Sequence, residues 1–581
     1  MSSEFIKFPS RRSTVYSSKG IAASSQTLAS AAGIEVLAKG GNAVDAAIAV
    51  SAALCVTEPG STGVGGDCFV LFYKKSDKKV HGIDGCGRSA RNVTIQDVLD
   101  ADYGGKQMHR IKPTSIFSVT VPGAIAAWVD AFEKWGSGKV LLQQVLDPAI
   151  RLADEGFPIG EIASRLWRKS APKLQLQNRD LLEDQNPLLI NGKGPNEGDF
   201  VQNKPLAKLF LAVAKNGKDG FYKGPVAEAI IKRTTSKNHK LDAKDLELHE
   251  STVVDPISIV FENHKVWEIP PSGQGLVALL ALGIIRELHN SGKINLHELK
   301  HNSAEYLHIL IEACKMGFYD SDEYVTDPKF HDIPLEQLLD TPYLKSRAEL
   351  FCKEKSLDGT TMSHGVPDPK HRSDTVYLTT SDSEGNACSF INSVYHGFGS
   401  GIVVPEFGFS LQSRGANFNL NKGTPNSLEG GKRPYHTIIP SMITTENDDL
   451  YASFGNMGGY MQPVGHVQHV LNMILFNMTP QQLIDLPRFC LCSHEDVTSD
   501  RGRGSDGPVS TPITVVALEE GIDEKVGNSL EKLGHTVQFV SDYDRHLFGR
   551  AQIIKNVSTD DRVMYAAGSE MRADGAAIPF V

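Results

Sequence analysis

The sequence predicts a layered protein of the α+β class, and three observations carry that expectation. Residues 43–56 are almost wholly small and apolar, and a helix greasy on all sides belongs between layers rather than on a surface. The middle of the chain, 119–352, is mainly helical by period, with Pro and Gly punctuating short helices. Near residue 375 a polar stretch turns abruptly into a β-hairpin, and the C-terminal third continues with strands. Across 581 residues, 40% apolar and 22% charged content describe a soluble globular protein able to bury a sizeable core. Such a length admits several domains or one large interwoven domain.

From residue 20 to 79 the pattern is strand, helix, helix, strand. Leu28, Ala31, Ala32, Val36 and Leu37 recur at helical spacing, and Gly40-Gly41 stops that helix. Asn42 can cap the next one, at 43–56. A glycine-rich turn, Gly63-Val64-Gly65-Gly66, then leads into a strand at 68–73. The segment 305–320 predicts an amphipathic helix. A strand at 451–454 leads through a glycine loop, 455–459, into a helix at 463–476. Strands at 514–518, 536–540 and 551–555 and a helix near 525–533 complete the chain.

The net charge of −10, with no Lys/Arg stripe interleaved with aromatics, argues against a nucleic-acid partner. No run approaches the roughly 18 apolar residues a membrane span needs, and the first twenty residues lack the apolar stretch of a secretory signal. The eight cysteines carry no metal or disulfide spacing, which suits structural thiols in a reducing compartment. A cytoplasmic protein is expected. None of the glycine loops matches a phosphate cradle, and His466 and His469 have no carboxylate in their own helix to make a metal site.

The chemistry concentrates at 353–401. Residues 353–374 are polar, rich in Gly, Pro, Ser and Asp, and without apolar period, as in a dispensable linker. Then 375–380 forms a β-branched and aromatic strand, 381–386 supplies turn chemistry, and 387–394 is a second strand. If the Asp374–Thr375 bond is cut at this border, the Thr375 hydroxyl becomes a nucleophile with its own new α-amine as adjacent base. Gly458 and Gly459, between a strand and a helix N-terminus, offer backbone N–H groups that could form an oxyanion hole.

Together these residues resemble the gamma-glutamyltransferase family of N-terminal-nucleophile hydrolases. The match runs through Gly40-Gly41-Asn42-Ala43, Glu58-Pro59-Gly60, Val121-Pro122-Gly123, Asp374-Thr375, Gly385-Asn386-Ala387, Gly430 to Pro434, Met457-Gly458-Gly459 and Arg572-Ala573-Asp574-Gly575. The resemblance implies a four-layer αββα sandwich from a precursor that cuts itself into a large subunit, 1–374, and a small catalytic subunit, 375–581, together one interwoven domain. It places the nucleophile on Thr375, a supporting hydroxyl on Ser393 and the oxyanion amides on Gly458 and Gly459.

The substrate pocket departs from the family pattern. Cys86 stands where an arginine holds the substrate α-carboxylate, with Arg88 displaced by two positions, and Asn417 replaces the acid that binds the α-ammonium. Paired serines become His436-Thr437, and Tyr395 aligns with an asparagine. A charged amino-acid end needs both clamps, so the acyl group is expected not to be γ-glutamyl, with Arg414 and Arg88 left to receive an acidic acyl chain. The expected activity is a self-processing threonine amidohydrolase or acyltransferase that needs no metal or organic cofactor. Its partners are a small amide or peptide substrate and its own cleaved subunit, as a heterodimer that can itself pair, with no nucleic acid and no membrane. A true glutathione hydrolase with a rebuilt pocket and an inactive relative acting as a binding protein are the alternatives.

Overall fold

Two seven-stranded antiparallel sheets lie face to face between two helical layers. The computed structural model describes residues 12–357, 374–492, 515–559 and 562–581. The first sheet runs in the order Ala576–Pro579, Ile21–Ser24, Asp374–Ser381, Ala387–Tyr395, Asp67–Lys74, Lys79–Gly85, Thr252–Val254. The second runs Val15–Ser17, Tyr565–Ser569, Arg550–Asn556, Leu450–Met457, Ser441–Thr445, His264–Glu268, Ile257–Phe261. Each sheet mixes strands from before and after residue 375. Among the described residues, no helix is long and apolar enough to cross a membrane.

Three apolar slabs separate the four layers. Phe69, Leu71, Tyr377, Ile391 and Met442 fill the space between the sheets. Val44, Ile48, Ala52, Val70 and Phe390 join the first sheet to its helices, and Val266, Leu280, Phe454 and Val467 do the same for the second. This is the αββα sandwich expected of the resemblance, and apolar sheet faces explain it: each must be covered by another layer. The helix Ala43–Thr57 is buried at every residue, as its composition requires, and packs on the strands Asp374–Ser381 and Ala387–Tyr395. Asn42 caps it, accepting from Val44 and Asp45 N–H groups, while Asp45 returns a bond to the Asn42 amide.

Three expectations change. The segment expected to be amphipathic forms the helix Ala304–Tyr324, which is buried from Tyr306 to Asp320 save for Lys315. Its polar groups are paired inside: Glu312 with Lys315, Asp320 with Arg347, and His308 with His535. The helical middle also contains three short strands at 252–268, which close one end of both sheets. The glycine loop is shorter than expected, because Gly455, Asn456 and Met457 belong to the strand Leu450–Met457. Most of the linker (358–373), the first eleven residues and Thr514 lie outside the described residues.

Candidate active site

Thr375 sits in the first sheet, second residue of the strand Asp374–Ser381, fully buried. Asp374 pairs with Tyr395 and Val376 with Asn392, so Thr375 alone faces both Ser393 and Val394. Such a bulge re-aims a side chain, and here the Thr375 and Ser393 hydroxyls meet at 3.0 Å. Ser393 Oγ also accepts the Tyr395 N–H at 2.9 Å and an Arg414 Nη2–H at 3.2 Å, and both polarise its O–H. Directly after the bulge, Tyr395 holds φ +81°, a strained conformation for a bulky residue. The turn at Gly66 backs this strand: a Cβ there would lie 2.1 Å from the Ser393 carbonyl oxygen, so only glycine allows the approach.

The second sheet packs on the strand that carries Thr375 through the strands Leu450–Met457 and Arg550–Asn556. The Thr379 hydroxyl meets that of Ser453 at 2.7 Å, and Gly455 lies against the Tyr377 ring. Stepping two residues further on each strand sets Met457 over Thr375. Arg550, which pairs with Met457 in its sheet, confirms the register by donating to the Thr375 carbonyl at 3.4 Å. Glu58 fixes that guanidinium through a buried ion pair. The loop beyond Met457 takes Gly458 to φ +133° and Gly459 to φ +61°, and the helix Met461–Ile474 follows without a side-chain cap. Among the described residues, the Gly458 and Gly459 N–H groups have no acceptor, which is the state an oxyanion site requires.

Gln274 holds this loop in place. Its Nε2 donates to the Gly459 carbonyl at 2.9 Å and the Thr437 carbonyl at 2.6 Å, and its Oε1 accepts the Tyr435 hydroxyl at 3.0 Å. Asp67 anchors the opposite wall. Its Oδ1 accepts from Gly87 N, Gly123 N and Gln412 Nε2, and its Oδ2 from His436 Nε2 at 3.0 Å. Burial raises the Asp67 carboxyl, but the donors from His436 and Gln412 and the Arg414 charge outweigh burial and hold it below the usual range. His436 accepts the Ile438 N–H at Nδ1, so its proton lies on Nε2 and the ring is neutral. Burial and the Arg414 charge push its pKa down to about 3. Asp67, Cys86 and His436 place metal-ligand atoms within 4.8 Å of one another, yet both carboxylate oxygens and both ring nitrogens are already hydrogen-bonded.

Tyr395, Arg414, Asn417 and Thr437 come together around Ser393. Arg414 stacks over the Tyr395 ring at 4.2 Å and donates to Thr437 Oγ1 at 2.7 Å. The Tyr395 hydroxyl donates to Asn417 Oδ1 at 2.5 Å, and Asn417 Nδ2 donates to the Tyr435 carbonyl. Cys86 is buried, its thiol pushed well up by burial and by the Asp67 and Asp84 carboxylates. Arg88 is turned elsewhere, paired with Asp327 at 2.9 Å. The guanidinium nearest Cys86 is that of Arg433, bonded to the Cys86 carbonyl and ion-paired to Asp84. Asp67, Gln274 and Arg550 hold the candidate site together and are the residues that sequence reasoning missed. Only Asp67, following Gly65-Gly66 at the head of a strand, carried a signal that could have been noticed.

Residues 29–580 match the family model described as gamma-glutamyltranspeptidase. The chain is 33% identical to the glutathione hydrolase-like YwrD proenzyme of Bacillus subtilis, over 97% of this chain and 99% of that protein. It is 28% identical to the oxamate amidohydrolase proenzyme of Klebsiella pneumoniae, over 97% and 98%. A cephalosporin acylase from Bacillus halodurans superposes with a TM-score of 0.85 at 35% identity, over 99% and 98%. The chain belongs to the gamma-glutamyltranspeptidase family and is an amidohydrolase of the N-terminal-nucleophile type.

Proposed function

We propose that this family member cuts its own Asp374–Thr375 bond and then cleaves a small amide whose acyl group lacks the α-amino acid end of γ-glutamyl compounds. The observation that carries the proposal is the Thr375–Ser393 hydroxyl pair set in a strand bulge, with the acceptor-free Gly458 and Gly459 amides following a strand of the facing sheet. In self-processing, Thr375 Oγ attacks the Asp374 carbonyl carbon, the C–N bond breaks, and the acyl chain moves from nitrogen to oxygen as an ester. Water hydrolyses that ester, leaving 1–374 with a carboxyl end and 375–581 with a free α-amine.

In turnover the α-amine takes the Thr375 hydroxyl proton as Oγ attacks the substrate amide. An unperturbed α-amine has a pKa of about 7.7–8.0 and is partly neutral at physiological pH. The oxyanion is held by Gly458 and Gly459, the amine leaves, and water or a second amine resolves the ester. The pocket supports the acyl assignment. Asp67 has both oxygens engaged by N–H donors, and Asn417 is neutral, so neither offers a carboxylate for an α-ammonium. Cys86 replaces the cation that would hold an α-carboxylate. Relatives that act on oxamate or cephalosporins by name support an acyl group other than γ-glutamyl. The glutathione hydrolase-like relative favours the second reading, a glutathione hydrolase with a rebuilt pocket. A cytoplasmic location is part of the proposal, supported by cysteines whose spacing suits neither a disulfide framework nor a metal site.

The test is the mass and N-terminal sequence of purified protein. Two fragments should form without added protease, the smaller beginning Thr-Val-Tyr-Leu, while Thr375→Ala stays whole. An intact wild-type chain that still turns over substrate would sink the mechanism.

A further inference from the structure

Six arginines of the described chain are buried: Arg233, Arg414, Arg433, Arg488, Arg550 and Arg572. Five have a carboxylate partner, respectively Asp180, Asp84, Glu570, Glu58 and Glu519 in the order of the other five. Arg414 is the exception. Among the described residues its guanidinium meets only the Ser393 and Thr437 hydroxyls and the Tyr395 ring, and its Nε has no partner. The Asp67 carboxylate acts on it only through space, without an ion pair, and a guanidinium keeps its charge, so its unengaged buried donors are costly. Of its five N–H donors, two are engaged with hydroxyls, so three remain for a ligand.

The position of that cation sets a length. Arg414 Nη2 is 3.2 Å from Ser393 Oγ, which is 3.0 Å from the attacking Thr375 oxygen. The guanidinium nitrogen therefore lies within about 6 Å of the nucleophile, two hydrogen-bond lengths away. A reacting carbon stands about 3 Å from Oγ, and a carboxylate oxygen about 2.8 Å from the guanidinium. With the two anchors so close, a short acyl group ending in a carboxylate is the kind that can touch both. Arg88 cannot serve the same end while Asp327 holds it.

We infer that Arg414 is a specificity-determining residue that grips the carboxylate of a short dicarboxylic half-amide, an oxalyl to succinyl class of acyl group. The inference rests on the amidohydrolase proposal and names its substrate class. The test compares kcat/KM of the self-processed enzyme on oxalyl, succinyl and glutaryl anilides, on the succinamoyl anilide (same length, no charge) and on the γ-glutamyl anilide. Succinyl should exceed succinamoyl by at least about 100-fold, because the neutral analogue leaves the cation unpaired. Glutaryl should fall below succinyl. Arg414→Gln should reduce the charged-to-neutral ratio to under about 5-fold, a ratio insensitive to any general loss of rate. If that variant does not self-process, protection of the wild type against heat by free succinate, and not by succinamide, replaces it. Equal rates on succinyl and succinamoyl anilides, or an unchanged ratio in the variant, overturn the role of Arg414 while leaving the amidohydrolase intact. Turnover of the γ-glutamyl anilide alone overturns both the role of Arg414 and the proposed acyl class.

Discussion

Replacing Gln274 by glutamate exchanges one NH2 for an oxygen, with no change of shape, at a fully buried position. The new oxygen would stand where Nε2 now lies, 2.6 Å from the Thr437 carbonyl and 2.9 Å from that of Gly459. Three oxygens at these distances cannot coexist without a proton. The carboxyl must stay protonated when folded, and its single hydrogen serves only one of the two carbonyls. Keeping a carboxyl of unfolded pKa about 4.3 neutral costs about 4 kcal/mol at pH 7.5 and about 1 kcal/mol at pH 5.0. The carbonyl left without a donor adds about 1–3 kcal/mol at either pH. The sign follows from a folded pKa raised above the unfolded one: the penalty is small near pH 4 and grows as pH rises.

A protein of this length melts about 1 °C lower for each kcal/mol lost. Gln274→Glu should therefore melt about 5–7 °C below the wild type at pH 7.5, narrowing to about 2–4 °C at pH 5.0. Differential scanning calorimetry of self-processed protein at the two pH values reads both. A deficit that does not change with pH, or one below about 1 °C throughout, would show that the amide is not clamped between the two carbonyls. Turnover should fall with stability at pH 7.5, because the same amide positions Gly459.

Gly459→Val puts a β-branched residue at φ +61° and should lower kcat by roughly two to three orders of magnitude by re-aiming the oxyanion amides; unchanged turnover in a normally melting variant would remove the loop from the mechanism. Acid should destabilise the fold well before the carboxylates titrate. Burial pushes the pKa of His239 down to about 4, and burial with neighbouring cations pushes those of His249, His436 and His535 down to about 3. Each favours the neutral ring when folded, so stability present above pH 6.5 is lost as pH falls, at up to about 1.4 kcal/mol per pH unit per histidine. A melting temperature that stays flat between pH 7 and pH 5 would contradict this.

The layers were legible because they depend on local composition. An all-apolar run at 43–56 has no surface on which to lie, and a hairpin with turn residues at 381–386 states its own pairing. The bulge-borne hydroxyl pair was legible in part, since a linker ending at a β-branched strand marks Thr375 as a border residue, and the structure sets it at 3.0 Å from Ser393. The helix Ala304–Tyr324 was misjudged because its His308, Glu312 and Asp320 look like a solvent face until partners arrive from other segments, and only the pairs with Arg347 and His535 make burial affordable.

The residues that hold the site together escaped for the same physical reason. Asp67 meets His436 across 369 positions of chain, and Gln274 meets Thr437 and Gly459 across 163 and 185. Both act through side chains on backbone groups of distant segments, a kind of contact that leaves no period or motif. The family pattern points to Thr375, Ser393 and the Gly458-Gly459 loop, whereas the sequence substitutions around them gain meaning only together. Cys86 removes one cation, and Asn417 removes an anion. Arg414 then remains as a buried cation with no direct ion pair among the described residues, beside the hydroxyl pair in the bulge. A substrate carboxylate would give the unengaged Arg414 donors an acceptor, and through that bond the departures from the pattern bear on the proposed specificity.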